Sequence, residues 1–376
     1  MYMRDLPTPL AIGRRLQLAR EAKGLTQAQL AESLDISSHQ SISELEKGNR
    51  RLQPNELAKL AKILDRDVEY FVDPFSLVGE AQYSWRRAPG NDDDVSDFQA
   101  RADRLVGLLR WLRSLDADAL SPLGKVLRLS ECSTFDDTEQ AAEHLAEALQ
   151  LGPIPSQKLL ENVESQLDVP VLYIDMMGDR SKAFVSGATV HLTDFTCILI
   201  NRNEPAGRRA FDLAHELFHA LTWDVLTPEA VESNVLSNTG PAKKNRTEQL
   251  ADKFASALLL PHKLLRQKFD LTDKSDITQL RALATHFGVS TSALAFRLLG
   301  LRWIDQKTCN ALKEKSTEEP ARTPPKLYSA RFAALLTTAL QNGRLSPRKA
   351  AKLLGTRLDG LEEILKQWDP SAAIEF

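Results

Sequence analysis

The sequence predicts a mainly α chain with a small antiparallel β-sheet, divided among several domains. Ala, Leu, Glu, Lys and Arg are plentiful while strand-forming residues are thin. Apolar residues recur at helical spacing over 10–66, 97–129 and 327–368. Short continuous apolar runs, the mark of strands, fall within 169–200.

A chain of 376 residues exceeds one ordinary core, so two to four domains are expected. With 43% hydrophobic and 26% charged residues, most of it should fold rather than stay disordered. The net charge of -3 says little about partners, but residues 1–66 hold 11 Lys+Arg against 8 Asp+Glu, which permits nucleic-acid binding. Cys132, Cys197 and Cys309 are odd in number and form no Cys-x-x-Cys, against both a disulfide framework and a cysteine zinc site. A reducing cytoplasm is the natural setting. No signal segment opens the sequence and no apolar run is long enough to span a bilayer, so a soluble intracellular protein is expected.

Taken in order, 10–66 is a compact block of short helices closed by Phe71-Val72-Asp73-Pro74. A looser stretch with Arg86-Arg87-Ala88-Pro89-Gly90 and Asp92-Asp93-Asp94 reads as a linker. Leu105, Leu108, Leu109, Leu112 and Leu115 share a helical face. Thr138 is expected to cap a helix through Leu149, ended by Gly152-Pro153. Val169–Asp175 and two runs within 184–200, broken by Gly187 and Asp194, suggest the sheet. Helices resume at Arg208 and again over Thr247–Leu260, with a turn-rich 224–246 between them. Residues 313–326 form the clearest linker before the last helical segment.

The sharpest motif is His215-Glu216-Leu217-Phe218-His219. Positions i and i+4 share a helix face, so His215 and His219 can point ring nitrogens at one metal ion. Glu216 projects near the open side, where it can accept a proton from an attacking water and return it to a leaving amine. A catalytic zinc site usually has three protein ligands. The best third candidate is Glu248, 29 residues after His219 at the start of the next helix. Asp252, one turn on, can accept a hydrogen bond from a ligating His and fix its tautomer. His191, on the preceding strand-like run, is either a structural residue or a donor to substrate.

Phe211-Asp212-Leu213-Ala214-His215-Glu216-Leu217-Phe218-His219, then Glu248-Gln249-Leu250-Ala251-Asp252-Lys253-Phe254-Ala255 and Leu258-Leu259-Leu260-Pro261, resemble the ImmA/IrrE family of bacterial and phage metallopeptidases. Ile198-Leu199-Ile200-Asn201 and Arg208-Arg209 match its approach segment, and the similarity covers about 140–300. The resemblance implies an α+β zincin-like peptidase domain. In it His215, His219 and Glu248 would hold Zn2+ and Glu216 would act as general base. Phe218 departs from it, standing where that family usually has Gly. A large side chain there would narrow the cleft or fill a partner's site.

Residues 26–46 show a helix-turn-helix pattern. Thr26 caps a helix with Leu30, Ala31 and Leu34; a turn at Asp35–Ser37 leads to a second helix with Ile42 and Leu45 inward. Ser38, His39, Gln40, Ser41 and Glu44 are candidates to face bases, while Gln27, Asn49, Arg50 and Arg51 are candidates for phosphates. With Glu46-Lys47-Gly48-Asn49 and Leu57-Ala58-Lys59-Leu60-Ala61, the block resembles the XRE (Cro/C1-type) helix-turn-helix domain. Asp35 replaces the usual turn Gly, and the turn is one residue longer than the commonest form. Weaker helix-turn-helix spacing recurs at 277–299 and 345–365, where packing hairpins give the same pattern.

The expected domains are therefore an all-α helix-turn-helix domain over 1–75, a helical linker region over 76–138, the metallopeptidase domain over 139–305 and a C-terminal helical module over 327–376. The expected function is a repressor-type regulator, binding double-stranded operator DNA as a homodimer. Its zinc-dependent endopeptidase domain would cleave a repressor-like protein or the chain itself on a signal, in phage, defence or stress regulation. The alternative is a non-proteolytic repressor, or a toxin–antitoxin antitoxin, whose zinc domain senses a ligand or binds a partner.

Overall fold

The computed structural model describes residues 7–36, 38–87, 95–115, 127–176, 185–233, 236–237, 240–241, 245–274, 276–314 and 323–370. Five helices open the chain: α1 (Pro9–Ala22), α2 (Gln27–Ser33), α3 (His39–Glu46), α4 (Pro54–Leu64) and α5 (Val68–Val72). Thr26 and Gln29 form a reciprocal capping box at α2, which satisfies two backbone donors and fixes where the helix starts. Asp35 follows α2 at φ 57, the left-handed conformation that a short polar side chain tolerates where Gly is usual. Leu16, Leu30, Ile42, Leu45, Leu60 and Phe71 form this unit's own core. At Gly13 the backbones of α1 and α3 touch: an added Cβ would lie 2.2 Å from the Leu45 carbonyl oxygen.

Next come β1 (Gln82–Arg87), α6 (Val95–Leu115), α7 (Phe135–Ala148) and α8 (Pro155–Gln166). Thr134, not Thr138, caps α7, because only Thr134 precedes the helix with Asp137 at the third position to complete a capping box. Then follow β2 (Val171–Ile174), β3 (Val185–His191), β4 (Thr196–Asn201) and α9 (Ala206–Thr222). Three short strands, β5 (Val231–Ser233), β6 (Leu236–Ser237) and β7 (Gly240–Pro241), precede α10 (Arg246–Leu259). Helices α11 (His262–Phe269), α12 (Ile277–Phe287), α13 (Thr291–Gly300) and α14 (Gln306–Lys313) complete this region. The chain ends in α15 (Ala330–Gln341), α16 (Pro347–Leu353) and α17 (Leu358–Trp368).

The main sheet runs β2-β4-β3-β1-β5. Its centre is antiparallel as expected, β3 pairing with both β4 and β1. The outer strands β2 and β5 join in parallel, so the sheet as a whole is mixed. The reason is topological: β2 sits on the far edge of β4 with β3 between them in the chain, so direction reverses twice. Residues 82–87, expected in a helical linker, form a strand inside this sheet. Gln82-Tyr83-Ser84-Trp85-Arg86 does alternate polar and apolar residues, but the run is short and leads directly into the Pro, Gly and acidic residues that read as a linker. Residues 88–94, 243–244 and 315–322 of the expected linkers and turn, and Ser37 of the helix-turn-helix turn, lie outside the described residues.

Helices cover both faces of the sheet. Val171, Ile198 and Ile200 join α7–α14 in one core. Tyr83, Trp85, Ala188, Val190 and Leu199 join α6 and α15–α17 in another. The C-terminal helices thus bury an apolar face against α6 and the sheet. The first unit is tied on through Arg15, 1% exposed. Its guanidinium meets the carbonyls of Phe71 at 3.2 Å and Asp73 at 2.9 Å, and Glu80 Oε1 at 3.0 Å. These charge-assisted bonds let a buried cation satisfy several acceptors at once.

Cys197 and Cys309 are buried and Cys132 is exposed. Burial pushes the Cys197 thiol up to about 12. A thiol reagent at about pH 8 should label only Cys132 in the native protein and all three cysteines in denaturant, counted by intact mass. Labelling of Cys197 in the native state would contradict this packing.

Candidate metal centre and nucleic-acid interface

The helical period of α9 and its packing against α10 bring the predicted ligands together. His215 Nε2 lies 3.1 Å from His219 Nε2 and 3.2 Å from Glu248 Oε2. Glu248 Oε1 lies 3.5 Å from His219 Nε2. Tetrahedral zinc with bonds of about 2.0–2.1 Å would hold such donor atoms roughly 3.3 Å apart. All three side chains are buried, and Glu248 Oε1 has no hydrogen bond. Imidazole lone pairs and a carboxylate converging in a dry site suit a shared cation better than one another. The residues present fit a divalent metal.

Asp252 Oδ1 accepts a hydrogen bond from His215 Nδ1 at 3.0 Å. That leaves Nε2 of His215 as the nitrogen turned to the cluster. Glu216 is 0% exposed and receives a hydrogen bond from the Thr189 hydroxyl to Oε2 at 2.7 Å. Gly187, two residues before Thr189, lies where β3 is crowded by β4: an added Cβ would come within 3.1 Å of the Leu199 carbonyl oxygen and into ordinary contact with Glu216 Cγ at 3.5 Å.

Thr189 and Arg86 are absent from the sequence-based site. Thr189 left a faint signal, a polar residue in a largely apolar strand on the same face as Gly187. Arg86 left none, since its place depends on β1 pairing with β3. Its Nη1 lies 3.5 Å from Asp212 Oδ1 and its Nη2 3.5 Å from Asp252 Oδ1. Arg208 reaches Asp212 at 3.7 Å and Glu204 at 3.2 Å. Burial raises the Glu204 carboxyl above its usual range, and Arg208 opposes that shift.

Phe218 does not narrow the cleft. It is 0% exposed and its ring packs against Phe254, centroids 5.4 Å apart, between α9 and α10. The residue before His219 on a helix points away from the metal face, here into the core.

On the first unit, α3 presents His39 and Gln40 to solvent, with Ser41 half-buried beside them. Ser38 is the N-cap, its hydroxyl accepting from the Gln40 amide at 3.2 Å. Arg51 is exposed. Four other candidates are engaged within the fold. Gln27 donates to Glu46 at 2.7 Å, Asn49 to Glu44 at 3.0 Å, and Arg50 to Glu56 at 2.5 Å. Glu46 is itself buried on Arg20 at 2.6 Å.

Residues 164–299 match the IrrE N-terminal-like domain of peptidase family M78, and residues 16–71 match the helix-turn-helix family. An HTH-type transcriptional regulator of Rickettsia conorii is 39% identical over 71 residues, 19% of this chain and 56% of that protein. One of Sinorhizobium medicae is 34% identical over 99 residues, 26% of this chain and 70% of that protein. The match thus spans about half the length of the first relative. A Mycobacterium tuberculosis transcriptional regulator of known structure shares 22% identity over 43% of this chain and 46% of that one, with a TM-score of 0.31. The match over 16–71 makes the first unit an XRE-type helix-turn-helix. The protein belongs to the HTH-type transcriptional regulators and carries an IrrE-like domain.

His191 caps the far end of β3. Its Nδ1 lies 2.9 Å from Thr196 Oγ1 and its ring stacks on Trp223 at 5.0 Å. Burial lowers its pKa below the ordinary 6.5, against a smaller opposing pull from Asp224. The unfolded chain therefore takes up the proton first. The stability His191 contributes is complete above about pH 6.5 and is lost as the pH falls through its folded-state value. NMR titration of this imidazole should give a midpoint below 6.5, moving lower still in Asp224→Asn.

Proposed function

We propose that the IrrE-like domain is a zinc-dependent endopeptidase built into a DNA-binding regulator, cleaving a repressor-like protein or the chain itself on a signal. The observation that carries this reading is Glu216, held by Thr189 beside the His215, His219 and Glu248 cluster. A bound zinc ion would supply Lewis acidity to a substrate carbonyl and to water. Glu216 would take the proton from the attacking water and pass it to the leaving amine. Asp252 would hold His215 in one tautomer. We assign the chain to operator binding as a homodimer, each copy reading one half-site through α3, in phage, defence or stress regulation. Among the described residues no helix is long and apolar enough to cross a membrane.

One observation favours a second reading. His215, Glu216 and His219 are 0% exposed, so the site as it stands offers no open face to a peptide. A regulator that uses the ion for sensing or partner binding, without turnover, needs no such opening.

Glu216→Gln separates the two. It keeps the shape and an acceptor for Thr189 and removes the proton carrier. Cleavage of the repressor-like substrate or of the chain, followed by intact mass, should fall about 10²–10⁴-fold with zinc content unchanged. Unchanged processing and regulation would remove the peptidase reading. Asp35 at φ 57 and exposed Gln40 likewise set a DNA prediction. Gln40→Ala should weaken operator binding by about 1–3 kcal/mol and relax base preference at one position. Arg51→Ala should weaken binding to all sequences and flatten its salt dependence, measured by titration at several salt concentrations.

A further inference from the structure

We infer that Arg86, on the strand that follows the DNA-binding unit, is a positioning residue for the metal centre and couples metal loading to the seating of β1. The inference rests on reading His215, His219 and Glu248 as metal ligands.

Strand β1 lies outside the segment 164–299 that matches the IrrE-like domain. It nevertheless pairs with β3 on one side and β5 on the other. Alternation divides its side chains. Tyr83 and Trp85 enter the core shared with α6 and the C-terminal helices. Arg86 turns to the opposite face, toward α9 and α10, and is 7% exposed.

There it bridges two carboxylates. Asp252 Oδ1 takes both the hydrogen bond from His215 Nδ1 at 3.0 Å and the ion pair with Arg86 Nη2 at 3.5 Å. Arg86 Nη1 pairs with Asp212, three residues before His215 on α9, whose side chain is 2% exposed. The guanidinium also sits over the Phe211 ring, 5.6 Å from its centroid. A planar fork can serve two carboxylates with separate nitrogens; an ammonium is a single point of charge. Asp252 is 32% exposed, and the positive charge of Arg86 faces the same oxygen that aims His215, so removing that charge weakens the hold on this oxygen. The tautomer and aim of a metal ligand would loosen with it.

The other end of the same short segment is anchored to the DNA-binding unit. Arg15 of α1 pairs with Glu80 at 3.0 Å, two residues before β1 begins. Residues 80–86 therefore span from the core of the DNA-binding unit to a support of the metal centre. A ligand that binds better when β1 is seated must, by linkage, favour the seated state.

The test uses the full-length protein, zinc titration against a chelating competitor, and hydrogen exchange of the β1 amides with and without zinc. Arg86→Gln should weaken zinc affinity about tenfold and abolish the zinc-induced slowing of exchange over 82–86. Arg86→Lys should recover part of both. Trp85→Phe, on the opposite face of the strand, should lower thermal stability while the folded protein keeps wild-type zinc affinity. Wild-type affinity and protection in Arg86→Gln would overturn the inference, as would equal weakening by Trp85→Phe, which would reduce the effect to strand stability. Loss of zinc in His215→Ala alongside an unaffected Arg86→Gln would sink only the inference. A wild-type chain that binds no zinc would sink the metal centre and the inference with it.

Discussion

The packing of α9 against α10 places two imidazoles and a carboxylate within 3.1–3.5 Å of one another in a site closed to water. That arrangement is costly without a cation. Buried acceptors facing one another lose their hydration and repel. Much around the site follows from meeting that cost. Asp252 gives His215 a hydrogen-bond acceptor on its outer nitrogen, Thr189 gives Glu216 a donor, and Arg86 and Arg208 bring positive charge to Asp212. The apolar shell of Leu217, Phe218, Leu250 and Phe254 excludes water and makes each polar pairing count for more.

The same constraint explains the layers. A strand adjacent to α9 must carry small or polar residues on the metal side and apolar ones on the other. β3 does this with Gly187 and Thr189 on one face and Ala188 and Val190 on the other. The second face is apolar on both β3 and β1, and α6 with α15–α17 cover it. The C-terminal helices are thus part of what holds the sheet, and through β1 part of what holds Arg86.

What could be read from the sequence follows the range of the interactions. His215 and His219 are one helical turn apart, and so are Glu248 and Asp252, so the motif and its spacing placed both pairs on common helix faces before any tertiary contact was known. Thr26 with its capping box was equally local. Arg86 was beyond reach because its role depends on a strand pairing across a hundred residues. Phe218 was misjudged from a family departure alone; helix geometry aims it at Phe254. On the DNA-binding unit, α3 and its exposed His39 and Gln40 follow from periodicity. The engagement of Gln27 with Glu46 and Arg50 with Glu56 does not, since it needs the packed positions of three helices.

Those internal pairings narrow how the first unit can meet DNA. Gln27 and Glu44 already have partners, so using them on bases or phosphates means breaking bonds worth about 0.5–1.5 kcal/mol each in net terms. Gln40 and Arg51 stand exposed, and among the described residues neither side chain has a hydrogen bond or ion pair to release. Glu46 is different again. Its carboxylate is buried on Arg20 and Gln27, between α1 and α2, so it fixes the angle at which α3 leaves the unit. Helix α3 is therefore oriented by a buried ion pair. The metal helix is oriented in the same way, by Arg86 between Asp212 and Asp252. In both units a buried arginine sets the geometry that more exposed or more reactive side chains then use.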